Sequence, residues 1–128
     1  MITATQTPIP EVRTKKSMLR TFPLAAVVQS DHKLIALLSD LSPDTPWGQR
    51  KVAARQLGTM RKVDALPVLL AALPRDPFWM VRCAIIQALE MIGDPGAIPV
   101  LEGVADNDSF QVVRSHAAKA IERLSQKG

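Results

Sequence analysis

The sequence predicts an all-α protein, a short right-handed α-solenoid of about three helical hairpins. Three observations lead there. Ten prolines in 128 residues leave no room for long uninterrupted helices. No tyrosine and only three phenylalanines and two tryptophans argue against a single compact sheet. A period of 32 residues then runs along the chain without a gap.

The period aligns Asp44, Asp76 and Asp108, and it aligns Arg50, Arg82 and Arg114. Trp47 falls on Trp79, Phe78 on Phe110 and Pro67 on Pro99. Apolar positions follow: Leu57, Leu89 and Ile121; Ala53, Ile85 and Ala117; Leu37, Leu69 and Leu101. Each unit reads as two helices, A and B. In the A run opened by Asp76-Pro77, the residues Val81, Ala84, Ile85, Ala88, Leu89 and Ile92 fall on one helical face. Gly93-Asp94-Pro95-Gly96 stops that helix and turns the chain. The following B helix carries Pro99 in its first turn, where no intrahelical N–H is needed, and an apolar stripe of Ile98, Leu101, Val104 and Ala105.

The punctuation places B at 33–41, A at 46–60, B at 64–73, A at 78–92, B at 97–105 and a last A at 110–125. Pro43, Pro46, Pro74, Pro77 and Pro95 are expected in inter-helix turns. Ser17 to Val28 reads as a degenerate first A helix that Pro23 would kink or break. Residues 1–16 read as a flexible N-terminal tail, and residues 17–128 as the repeat domain.

The run Asp76 to Leu89 (Asp-Pro-Phe-Trp-Met-Val-Arg-Cys-Ala-Ile-Ile-Gln-Ala-Leu), followed by Ile92 to Leu101, resembles a HEAT-like repeat. It is most similar to the short variety known from phycocyanobilin lyase subunits, and the resemblance covers about residues 32–125. It implies a stack of helical pairs stabilised by contacts between neighbours. It also implies that each repeated Arg pairs with an Asp of its own or the adjoining unit. A factor acting on phycobiliproteins is a narrower implication, but no residue here matches a lyase site.

Composition limits the function classes. One cysteine, Cys83, excludes an internal disulfide and a cysteine cage for a metal; with only His32 and His116 besides, no metal or cofactor is expected. There is no phosphate-binding Gly-rich loop, nucleophile elbow, HExxH or dinucleotide turn, so no catalytic residue is assigned and the chain does not read as an enzyme. No apolar run approaches the ~18–20 residues that span a bilayer. Phe22 to Val28 follows Lys15, Lys16 and Arg20 in faint imitation of a secretion signal, but it is short and lacks a small-residue cleavage site. A cytoplasmic protein is expected.

The net charge of +4 is unevenly spread. Residues 1–62 carry ten Lys+Arg against four Asp+Glu, and residues 63–128 carry six against eight. The expected function is therefore that of an adaptor, scaffold or assembly factor binding another protein. Its anchors would be Trp47, Phe78, Trp79 and Phe110, with charge from Arg50, Lys51 and Arg55. The alternatives are the phycobilin-lyase-related factor and a polyanion or nucleic-acid binder using the basic half. Self-association through the repeat ends is a further option.

Each of these residues also has an architectural reading. Asp44, Asp76 and Asp108 would cap A helices and Arg82 and Arg114 would pair with them, forming a structural ladder. Trp47 and Trp79 could cover seams between repeats, and Lys51, Arg55, Arg61 and Lys62 could simply face solvent. Cys83 reads as a packed thiol, and His116 as a residue bordering the core. Glu102 replaces Leu38 and Leu70 of the other units, which suits an end repeat.

Overall fold

Helices α1 (Leu24–Ser39), α2 (Trp47–Met60), α3 (Leu66–Arg75), α4 (Trp79–Ile92), α5 (Ile98–Asn107) and α6 (Gln111–Lys127) account for most of the structure, and no strand occurs among the described residues. The computed structural model describes residues 24–127, with side chains from His32 to Gln126. The chain divides into two compact units, Met1–Lys33 and Leu34–Gly128. The expected tail 1–16 and its boundary with residue 17 lie outside the described residues.

The second unit is an all-α, HEAT-like stack. Helices α2, α4 and α6 are the three A helices, 32 residues apart, and α3 and α5 are the B helices between them. Each B helix is entered through a single tight helical turn, Val63–Ala65 or Pro95–Ala97. In the second of these, the Asp94 carboxylate accepts a hydrogen bond from the Gly96 N–H at 2.8 Å. Pro67 and Pro99 stand in the first turns of α3 and α5, where a missing N–H costs nothing.

One continuous core runs through this unit. Leu57, Leu69, Leu73, Val81, Ile85, Leu89, Leu101, Val113 and Leu124 are fully buried or nearly so, and Leu34, Leu37 and Leu41 join them from α1 and the residues after it. Apart from Val81 and Val113, whose equivalent in the first unit is Gln49, these are positions that the 32-residue period marks as apolar. At Gly58 two A helices approach closely. A Cβ built there would lie 2.7 Å from the Ala88 Cα, so α2 and α4 can meet at this depth only without a side chain.

Two expectations need correction. Pro74 lies inside the last turn of α3 and not in the turn after it. One helical bond is lost there, but the helix ends at Arg75, and Asp76 N–H closes on the Ala72 carbonyl at 2.9 Å. Helix α1 runs without interruption over Leu24–Ser39, in place of a break between residues 28 and 33. No Pro or Gly interrupts this stretch, so one helix satisfies its backbone throughout. Residues 17–23 of the proposed first A helix lie outside the described residues.

Candidate functional site

The repeated Asp and Arg are joined across the seams between A helices. Arg50 donates from Nε to Asp76 Oδ2 at 2.8 Å and from Nη2 to Oδ1 at 3.1 Å. Arg82 does the same with Asp108, at 2.7 and 3.0 Å. Each pair is a two-pronged, charge-assisted contact spanning 26 residues and sealed from water. The remaining guanidinium nitrogen of each Arg turns back to its own unit. Arg82 Nη1 donates to the Asp76 carbonyl at 2.7 Å, Arg114 Nη1 to the Asp108 carbonyl at 2.6 Å, and Arg50 Nη1 to the Thr45 carbonyl.

The same carboxylates start the next A helix. Asp76 Oδ1 accepts from the Phe78 N–H at 3.0 Å, and Asp108 Oδ1 from the Phe110 N–H at 2.9 Å. Asp44 cannot follow suit, because the residue two further on is Pro46, which has no N–H. Asp44 is exposed, and its own N–H goes to Ser42 Oγ at 3.3 Å. Of the repeated residues, Asp76, Asp108, Arg82 and Arg50 form the rungs; Arg114 makes only the backbone half, and Asp44 stands outside it.

The aromatic residues pair across the same seams. The Trp47 ring lies 4.4 Å from Phe78, tilted by 46°, and Trp79 stacks on Phe110 at 6.0 Å and 20°. The guanidinium carbon of Arg82 sits 5.7 Å from the Phe110 ring centre, so the second seam joins ion pair and aromatic pair directly. Phe78 and Trp79 are neighbours in sequence, so the two pairs follow one another along the line of A-helix starts. Trp47 and Phe110 are each 44% exposed.

Beside this line, the flank of α2, α4 and α6 holds an open groove of about 290 Å³, lined by Lys51, Arg55, Trp79, Met80, Cys83, Ala84, Gln87 and His116. The i, i+4 spacing of Lys51 and Arg55 puts both cations on one side of α2. Burial pushes the Cys83 thiol above its ordinary pKa; the nearby Arg82 charge opposes this and Asp108 adds to it. Such a thiol stays protonated and is a poor nucleophile.

A family model described as HEAT repeats matches residues 32–122. The chain belongs to the HEAT-repeat family. No curated protein and no solved structure matches it. The family match is to the repeat itself, and it does not single out the phycocyanobilin lyase type.

Within this HEAT-repeat stack, the expected partner-binding residues separate into two sets. Trp47 pairs with Phe78 and Trp79 with Phe110 at successive seams, and Lys51 and Arg55 share the groove with Trp79. Arg50 does not belong with them. Only 4% of it is exposed, and its guanidinium is held by Asp76, so it is a rung of the ladder and has no free charge to present.

Met80, Gln87 and His116 also line the groove, in addition to the residues expected to bind a partner. The repeat register carries the signal for them: Met80 and Gln87 are the equivalents of Gly48 and Arg55, and His116 of Val52 and Ala84. Among the described residues there is no group of three His, Cys, Asp or Glu placed to hold a metal, and no helix long and apolar enough to cross a membrane.

Proposed function

We propose that this HEAT-repeat protein is a non-catalytic protein-binding module that seats its partner on the flank formed by α2, α4 and α6. HEAT repeats generally mediate contacts between proteins. One observation carries the assignment to this flank: an aromatic pair stands at each seam, beside two cations that form no ion pair among the described residues. Large aromatic side chains held in place by neighbours anchor interfaces at low entropic cost. Val52 and Val112, 48% and 41% exposed, extend apolar surface along the same flank.

A photo-crosslinking side chain in place of Val52 tests this in cells. A discrete protein adduct is expected there and not from the same group at Val68, which is exposed on α3. Equal adducts from both positions, or none from Val52 in a folded variant, would contradict the assignment.

A further inference from the structure

The charged groups of this flank are all of one sign. Positions 47, 48, 51, 52 and 55 of α2, with their equivalents 32 and 64 residues on, give fifteen residues. They include Lys51, Arg55 and Lys119, the imidazole of His116, two tryptophans and three exposed or half-exposed aliphatic residues, but not one Asp or Glu. The whole chain carries twelve carboxylate side chains. Of these, Asp76 and Asp108 hold buried arginines and Glu90 accepts from Arg123 at 2.8 Å, while the exposed Glu122 lies one turn beyond Lys119, outside the fifteen positions. Lys51 and Arg55 take part in no ion pair among the described residues.

We propose that the occupant of this flank is an acidic peptide segment of a partner protein, with carboxylates on Lys51 and Arg55 and an apolar side chain against Trp79 and Met80. The proposal rests on the reading of the flank as a docking surface and adds the chemistry of what docks. Charge complementarity of this kind steers encounter and fixes register, while the apolar contact holds the complex. The groove, at about 290 Å³ and open, accommodates one or two side chains of a bound segment and lies at the lower limit of sites that enclose a small molecule, ~300–1,000 Å³. A single-stranded nucleic acid fits less well. It needs aromatic faces free to stack on bases, whereas Trp79 already stacks on Phe110 and Trp47 lies against Phe78.

Selection of a random dodecapeptide display library on the full chain tests the proposal, with the Lys51→Glu/Arg55→Glu double variant selected in parallel. Wild-type protein is expected to enrich peptides rich in Asp and Glu with Leu, Ile or Phe interspersed. The double variant should bind those peptides at least about tenfold more weakly, with helicity and Tm retained. Peptides that are neutral or basic yet depend on Trp79 would overturn the acidic occupant and leave the docking surface standing. No enrichment at all would overturn the acidic occupant too, and the Val52 adduct would then decide the docking surface separately. Binding of a labelled oligothymidylate more tightly than any selected peptide would replace the proposal with a polyanion site.

Discussion

At the seam between α2 and α4 the Arg50–Asp76 fork is 5% and 4% exposed, the Trp47 and Phe78 rings touch at 4.4 Å, and Gly58 lets the helices meet at Ala88. At the seam between α4 and α6 the Arg82–Asp108 fork is 9% and 7% exposed, and Trp79 and Phe110 lie 6.0 Å apart. The position of Gly58 is taken there by Glu90, which reaches a largely exposed Arg123. Both seams use the rung and ring that the 32-residue period repeats. The depth of each seam is set by residues that the period does not repeat. Asp76 belongs to both, since its carboxylate holds Arg50 and its carbonyl accepts from Arg82. The two seams are therefore coupled through one residue.

Breaking that residue should have the largest effect. Asp76→Ala strands the buried Arg50 charge and removes the acceptor of the Phe78 N–H, for a loss of about 3–5 kcal/mol in denaturant unfolding. Asp44→Ala, at the equivalent but exposed position, should stay within ~0.5 kcal/mol. Equal losses would mean that neither the rung nor the helix start made by Asp76 contributes to stability.

The next largest effect contrasts the two seams at one repeat position. Gly58→Ala places a methyl group against the Ala88 backbone and should cost about 1–3 kcal/mol even after the better helix propensity of Ala. Glu90→Ala removes only a bridge to an exposed Arg and should cost ~1 kcal/mol or less. Matching unfolding curves for the two variants would contradict the closer approach at the first seam.

The smallest expected effect is at the helix ends. Helix α2 ends on Arg61 at φ +52°, whereas α4 ends on Gly93 at φ +77°. Left-handed backbone favours Gly. Arg61→Gly should thus stabilise by up to about 1 kcal/mol, and Gly93→Ala should destabilise by about 1–2 kcal/mol. Opposite signs in thermal melts are the result to look for.

Much of this is legible in the sequence because a repeat states its own register. The apolar period located α2, α4 and α6 to within two residues at either end, and Pro67 and Pro99 marked the starts of α3 and α5. The alignment of Arg50 with Arg82 implies a rung while its basic neighbours Lys51 and Arg55 suggest a charged face, and it is the rung that forms. That Asp44 cannot cap was readable too, from Pro46. Other features were not. The closeness of Gly58 to Ala88 and the pairing of Trp47 with Phe78 depend on the distance between two helices, which neither local sequence contains. The left-handed Arg61 was hidden because a residue other than Gly rarely ends a helix this way.

The coupling of the seams through Asp76 is tested most directly with the chain's two tryptophans, one at each seam. In Trp79→Phe the remaining Trp47 reports the first seam by fluorescence, and in Trp47→Phe the remaining Trp79 reports the second. Each reporter is unfolded in denaturant with and without Asp76→Ala. Coupled seams predict a single transition, with both reporters shifted to lower denaturant by the same amount. A shift confined to the Trp47 reporter, with the Trp79 transition unmoved, would contradict the coupling.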